Sequence, residues 1–79
     1  MVRLTSINIR GLKDESKRIL VFKQLLHCAY DIIAIQETHC TPEEVTKWKN
    51  EWPGTSYWTG GSSNLAGLGF LFYPKGFLV

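Results

Sequence analysis

Two hydrophobic periods alternate along the chain and divide it into strands and helices. Residues 2–9, with the sequence VRLTSINI, alternate between apolar and polar side chains and are rich in β-branched residues, which predicts a first strand. Residues 30–37 contain a continuous apolar run that predicts a buried second strand. Further on, residues 55–60 and 68–73 predict a third and a fourth strand, and residues 77–79 predict the start of a fifth.

The first helix is predicted over residues 17–29, where the apolar period changes to that of a helix. Asp14 or Ser16 is expected to be its N-cap, because both side chains can accept a hydrogen bond from a free N–H group of the first turn. Arg18 lies mostly off the apolar face and is expected to be exposed to solvent. The residues of the apolar face are Ile19, Phe22 and Leu26.

The second helix has unusually clear start and stop signals. Thr41 fits the N-cap, Pro42 the first helical position and Glu44 the third, so that threonine and glutamate can form a capping box. Pro53 and Gly54 are expected to end the helix. Its apolar residues at helical spacing, which we expect in the core rather than on a base-stacking surface, are Val45, Trp48 and Trp52.

The predicted order is β-α-β-α-β-β-β, which indicates an α/β fold. A strand, a helix and a second strand in succession usually form a parallel crossover, so that the carboxyl ends of both strands lie side by side. Asn8 is near the end of the first strand and Glu37 is at the end of the second. Because ligands of open α/β sheets gather at the carboxyl ends of the strands, we expect this amide and this carboxylate to converge at one rim of the sheet.

Such a pair is suited to a divalent cation. Mg²⁺ is typically held by one or two carboxylates, several waters and substrate phosphate oxygens. Glu37 would supply the fixed negative charge, and Asn8 could orient it or a metal-bound water without adding charge. The alternative is a solvated carboxylate at the edge of the sheet with no function.

A zinc site is a different possibility, because the chain contains two His-Cys pairs. His27 and Cys28 close the first helix, whereas His39 and Cys40 follow the far end of the second strand. A strand of five or six residues separates the pairs by roughly 17–20 Å, which is far too great for one zinc ion. We therefore expect Cys28 to be a small core residue and Cys40 to be a loop thiol.

The composition is that of a globular domain, and it excludes few classes of function. The chain has 79 residues, a net charge of +2 and two cysteines, which do not make a disulfide framework. Residues 1–79 are expected to be a single, incomplete domain, because the fifth strand is unfinished and the fourth needs cover on both faces. There is no apolar segment typical of a signal peptide or a membrane span, so we expect a protein of the nucleus or cytoplasm that is neither secreted nor membrane-bound.

Three motifs in order resemble the endonuclease/exonuclease/phosphatase (DNase I-like) superfamily. They are INIRGL at 7–12, DIIAIQETHC at 31–40 and AGLGFLF at 66–72. With the Trp-rich second helix between the last two, the pattern is most similar to the N-terminal endonuclease domain of LINE-type (non-LTR) retrotransposons. The resemblance covers nearly the whole chain, and it implies a four-layer α/β/β/α sandwich of which this chain would form the N-terminal part.

The resemblance implies a Mg²⁺-dependent DNA endonuclease, with Mn²⁺ as an alternative metal. Glu37 matches the metal-binding glutamate of the family and Asn8 its active-site asparagine, so both are expected in the catalytic and metal-binding cluster. Arg10 matches an arginine near the DNA backbone in DNase I-like members, where abasic-site enzymes carry aspartate, and His39 matches the retrotransposon form. Gln36 and Thr38 match residues that support the glutamate. The implied partners are DNA, the rest of the domain and a downstream reverse-transcriptase domain.

Other parts of the family's active site have no counterpart in this chain. The family also needs an aspartate-x-asparagine pair and a late aspartate-histidine pair, and the two aspartates present, Asp14 and Asp31, match neither. The chain alone is therefore expected to be inactive. Two alternatives remain: another phosphoesterase of the superfamily, such as an inositol-phosphate phosphatase or sphingomyelinase-like esterase, and a non-catalytic remnant that binds nucleic acid. The basic residues of such a remnant would be Arg10, Lys13, Lys17, Arg18 and Lys23.

Overall fold

The computed structural model describes residues 2–59 and 67–74 of the chain. Within these ranges it forms one four-stranded sheet and two helices. In chain order the elements are β1 (Leu4–Asn8), α1 (Glu15–Cys28), β2 (Ile32–Gln36), α2 (Pro42–Glu51), β3 (Ser56–Thr59) and β4 (Leu68–Phe72). The predicted fifth strand at 77–79 lies outside the described residues.

The sheet has the strand order β1-β2-β4-β3 and is mixed. β1 pairs with β2 in parallel, with Leu4 opposite Ile32 and Asn8 opposite Gln36, as the strand–helix–strand order predicts. β4 is antiparallel to both β2 and β3. The prediction of an α/β fold is confirmed in this coarse form, as a small mixed sheet with two helices.

The two faces of the sheet differ in cover, because successive strand residues point to opposite sides. One side carries Ile33, Ile35 and Leu71, which are fully buried. These residues form a single core with Phe22 of α1 and Trp48 of α2. The residues of the opposite parity include several large apolar side chains that are exposed: Leu4, Tyr57, Leu68 and Phe70.

The buried face of α1 differs from the prediction. Phe22 and Leu25 are buried as core residues, but Ile19 is 48% exposed and Arg18 is only 2% exposed. The prediction that Arg18 faces solvent was wrong. The guanidinium is buried because it pairs with the carboxylate of Glu51 on α2, which local periodicity does not reveal.

The starts of both helices are defined by predicted N-caps. Asp14 is the N-cap of α1 and accepts a hydrogen bond from the Ser16 N–H, so the helix begins at Glu15, two residues earlier than predicted. Thr41 and Glu44 form the predicted capping box of α2, with Pro42 at its start. In the described part of the chain, neither helix has the length and apolar character that crossing a membrane requires.

Candidate active site at the carboxyl ends of β1 and β2

Asn8 and Glu37 meet at the rim of the sheet, as the parallel crossover predicts. Asn8 is the last residue of β1 and lies opposite Gln36, the last residue of β2. Glu37 follows directly, and its Oε2 accepts a hydrogen bond of 2.5 Å from Asn8 Nδ2. The amide therefore fixes one carboxylate oxygen and leaves its own Oδ1 and the Oε1 of Glu37 for other ligands.

The backbone around this pair is unusual. Arg10, Glu37 and His39 adopt left-handed conformations, with φ of 55°, 56° and 59°. Such a conformation costs an L-residue with a side chain about 1–2 kcal/mol, so it persists only where the surroundings hold it in place. Three of the four non-glycine residues with positive φ in the described ranges lie in the two loops that follow β1 and β2. Residues of this kind cluster at ligand sites.

Hydrogen bonds past the strand ends hold the two loops together. The N–H of Gly11 donates to the carbonyl of Glu37 at 2.7 Å, and the N–H of Leu12 donates to the carbonyl of Thr38 at 3.1 Å. On the other side, the N–H of Thr38 donates to the carbonyl of Gly67 at 3.2 Å. Glu37 is therefore flanked by paired backbone on both sides, which orients its side chain.

Close packing leaves room only for glycine beside the two loops. Gly11 has a φ of 97°, and a Cβ placed on it would come within 2.9 Å of His39 Nδ1. Gly67 has a φ of 119°, and a Cβ there would clash with Thr38 Oγ1. Neither conformation is readily adopted by a residue with a side chain. The glycines of the motifs INIRGL and AGLGFLF thus have a structural role beside Glu37.

His39 lies against the acid but is not bonded to it. Its Nε2 is 4.0 Å from Glu37 Oε1, a distance at which an imidazolium and a carboxylate attract each other. The same nitrogen is buried and has no hydrogen-bond partner among the described residues. The side chain of Arg10 is exposed at the same edge of the sheet. Both basic residues predicted to contact DNA therefore lie in the loops at this edge, each two residues after a member of the Asn8–Glu37 pair.

Gln36 and Thr38 act differently from the support expected of them. The side-chain amide of Gln36 donates to Ser6 Oγ at 3.0 Å, not to the glutamate. Thr38 is fully buried, and its hydroxyl donates to the sulfur of Cys40, which is itself buried. Cys40 lies in the loop between β2 and α2, as predicted, and it is also a core residue at 2% exposure. Thr38 supports Glu37 through its backbone.

Sequence reasoning missed two cationic residues that hold the loop after β1. Lys17 Nζ donates to the carbonyl of Ile9 at 2.8 Å, and Arg18 Nη1 donates to the carbonyl of Leu12 at 3.0 Å. Both were predicted as parts of an exposed basic patch. Arg18 is removed from that patch by burial and Lys17 by its backbone contact, which leaves Arg10, Lys13 and Lys23 exposed. No local signal marks these contacts, because they depend on the path of the loop.

The donor set fits a hard cation such as Mg²⁺ or Mn²⁺ better than Zn²⁺. The described residues contain no group of three or more His, Cys, Asp or Glu side chains that could hold a metal. Glu37 Oε1 and Asn8 Oδ1 are hard oxygen donors on the ends of rigid strands, and the Glu37 side chain is 44% exposed, so waters and phosphate oxygens have access to it. One carboxylate with an open remaining shell is the arrangement by which Mg²⁺ is often bound at phosphate substrates.

Comparison with known proteins assigns no family to this chain: no family model matches it, and no curated protein matches it. A function for the chain has to be inferred from its own residues. Those at the ends of β1 and β2 are the most informative, because an acid and two basic residues lie there on left-handed backbone and the acid accepts a hydrogen bond from an amide.

Proposed function

We propose that this chain is the N-terminal part of a metal-dependent DNA endonuclease of the DNase I-like superfamily, of the retrotransposon type. The observation that carries the proposal is the hydrogen bond between Asn8 and Glu37 at the carboxyl ends of two parallel strands. The resemblance of three ordered motifs supports the choice of superfamily. The acid and the amide that the family's chemistry would use lie in contact with each other.

Each residue of the site would have a separate task. Glu37 and Asn8 would hold Mg²⁺, which when bound polarises a phosphate oxygen and offsets the charge that develops on it. Asn8 keeps the carboxylate in one orientation by donating to Oε2. Arg10 and His39 would position the DNA backbone, a contact that sets register without reading sequence. Phosphodiester hydrolysis also needs an acid to orient the attacking water and a group on the leaving oxygen, and neither has a counterpart among the motifs of this chain.

Metal binding tests the site directly. Mn²⁺ serves as the probe, because it accepts oxygen ligands and its free concentration can be followed by electron paramagnetic resonance. We expect one Mn²⁺ bound by the wild type, and a loss of affinity of about tenfold or more in Glu37→Gln. Glu43→Gln is the matched control, since it removes an exposed carboxylate in the first turn of α2 and should leave binding unchanged. Equal loss in both variants would mean that the ion binds the general surface charge.

A cleavage assay tests whether the chain lacks part of the catalytic set. In a Mg²⁺-dependent nicking assay on supercoiled plasmid, we expect no activity from the 79 residues alone. We expect nicking from a protein that includes the sequence downstream of Val79 in its gene, and loss of this nicking in Glu37→Ala. Nicking by the 79-residue chain that disappears in Glu37→Ala would show that the catalytic set is already complete in it.

A further inference from the structure

Arg18 makes an unusually large set of contacts for a residue outside the candidate site. Its Nε and Nη2 donate to the two carboxylate oxygens of Glu51 at 2.5 and 3.0 Å. Its Nη1 donates to the carbonyl of Leu12 at 3.0 Å and to that of Lys13 at 3.3 Å. The guanidinium carbon also lies 5.2 Å from the ring centroid of Trp48. One buried side chain of α1 thus contacts both α2 and the loop after β1.

Leu12 is hydrogen-bonded both to Arg18 and to the loop that carries Glu37. Its carbonyl accepts from the guanidinium, its side chain is fully buried, and its N–H donates to the carbonyl of Thr38. The neighbouring N–H of Gly11 donates to the carbonyl of Glu37. The loop from Arg10 to Lys13 therefore lies between the guanidinium on one side and the left-handed turn of Glu37 on the other.

A buried ion pair is a weak source of stability, because the loss of hydration offsets most of the attraction between the charges. An apolar residue of similar size at position 18 could fill the same space in the core. It could not donate hydrogen bonds to two carbonyl groups of a loop, and those carbonyls need donors when they are removed from water. The contacts to Leu12 and Lys13 are what distinguish an arginine from an apolar residue here.

We propose that Arg18 is a positioning residue of the candidate site. It holds the loop that follows β1, and the N–H groups of this loop hold Glu37 in its left-handed turn beside Asn8. Glu51 is the anchor of this arrangement, since it fixes the guanidinium on the side away from the loop. The importance of this coupling for metal binding rests on the proposed function, whereas the coupling between Arg18 and the loop does not.

Amide hydrogen exchange tests the coupling without any ligand. In Arg18→Met, which keeps an apolar stem against Trp48 but donates no hydrogen bond, we expect peptides covering residues 10–13 and 37–39 to exchange about five- to tenfold faster. Peptides from β2 and β4 should change less than these. Phe22→Leu is the matched control, one turn along the same helix, because it loosens the core and should speed exchange throughout the molecule. The proposal is overturned if the two variants give the same pattern.

Glu51→Gln carries the same test should Arg18→Met not fold. It leaves the arginine in place but removes the charge that anchors it. We therefore expect faster exchange at residues 10–13, with a smaller increase in rate than in Arg18→Met. Arg18→Lys should restore part of the protection, since an ammonium can donate to the Leu12 carbonyl but cannot also pair with both oxygens of Glu51. No change at residues 10–13 in Glu51→Gln would count against the proposal.

Mn²⁺ affinity tests whether the coupling reaches the site. We expect Arg18→Met to bind Mn²⁺ about tenfold more weakly than the wild type, and Phe22→Leu to retain wild-type affinity under conditions where both are folded. Wild-type affinity in Arg18→Met would overturn the positioning role. If the wild type itself binds no Mn²⁺, the proposed function fails, and the exchange pattern still decides whether Arg18 holds the loop.

Discussion

Glu37 combines a left-handed backbone with the carboxylate of the candidate site. Its φ of 56° is unfavourable for glutamate, while asparagine tolerates this region much better. The hydrogen bonds of the Glu37 and Thr38 carbonyls to the neighbouring loop hold this backbone in place. A carboxylate kept at a strained position is typical of a site where stability has been exchanged for function.

Two substitutions of Glu37 separate the strain from the carboxylate. Both Glu37→Asn and Glu37→Val remove the carboxylate and shorten the side chain, but only asparagine readily adopts the left-handed backbone. We expect the free energy of unfolding of Glu37→Val to be about 1–2 kcal/mol below that of Glu37→Asn. Urea denaturation at neutral pH measures the difference. Equal stability of the two variants would show that the turn changes its conformation without cost.

The two helices show which features of the fold can be predicted from sequence. The signals of α2 are local: Thr41, Pro42 and Glu44 lie within four consecutive positions, and the cap, the start and the burial of Trp48 are all confirmed. The buried face of α1 depends on Arg18, whose partner is 33 residues away on another helix. No window of periodicity spans that distance, so the prediction was wrong there.

The candidate site divides in the same way. The meeting of Asn8 and Glu37 was predictable, because parallel pairing of adjacent strands brings their carboxyl ends together whatever the loops do. The left-handed backbone of Glu37 and the contacts of the Arg10–Lys13 loop were not. They follow from tertiary hydrogen bonds, which leave no periodic pattern in the chain.

The cap of α2 gives a prediction at the level of the helix. Thr41 accepts from the Glu44 N–H, and the Glu44 side chain accepts from the Thr41 N–H at 3.0 Å. Thr41→Ala breaks this reciprocal pair and should lower the free energy of unfolding by about 1 kcal/mol. Thr41→Ser keeps the hydroxyl and is the control, with little change expected. Thermal unfolding followed by circular dichroism compares them, and equal losses would mean that the side-chain methyl, not the cap, matters.

The ion pair between α1 and α2 predicts how stability depends on pH. The hydrogen bond from Arg18 lowers the pKa of Glu51 below its ordinary value of 4.5, against the opposing effect of burial. The unfolded chain therefore binds a proton at Glu51 more readily than the folded chain does. The resulting stabilisation is fully present above the unfolded pKa and is lost as the pH falls through the lowered, folded pKa.

Glu51→Gln isolates this contribution from that of the other acids. At neutral pH it leaves the Arg18 guanidinium without its carboxylate, and we expect a loss of about 1–3 kcal/mol in the free energy of unfolding. The difference between wild type and variant should shrink as the pH falls below the ordinary pKa of Glu51. Urea denaturation between neutral and acidic pH measures it. A difference that stays constant over this range would contradict the assignment of the pair.

At the scale of the whole molecule, the described residues 2–59 and 67–74 cover the sheet on one side only. Register places Ala34, Phe70 and Tyr57 in one row across the other side, with Phe70 43% and Tyr57 60% exposed. Leu4 and Leu68 extend this surface at 65% and 44% exposure. An apolar surface of this kind is typical of an interface or of a protein that associates. The proposed family would cover it with a second sheet.

The chain by itself is therefore expected to associate as its concentration rises. Sedimentation velocity across a range of concentrations should show species larger than the monomer. The double variant Tyr57→Thr/Phe70→Thr should shift this distribution toward monomer, because threonine removes exposed apolar area while remaining compatible with a strand. Leu20→Gln is the matched control: Leu20 is 68% exposed on α1, away from the sheet surface, so its loss should leave association unchanged. Equal effects of both changes would show that association depends on the total exposed apolar area and not on the sheet surface. A wild type that stays monomeric at all concentrations would show that the open face does not associate.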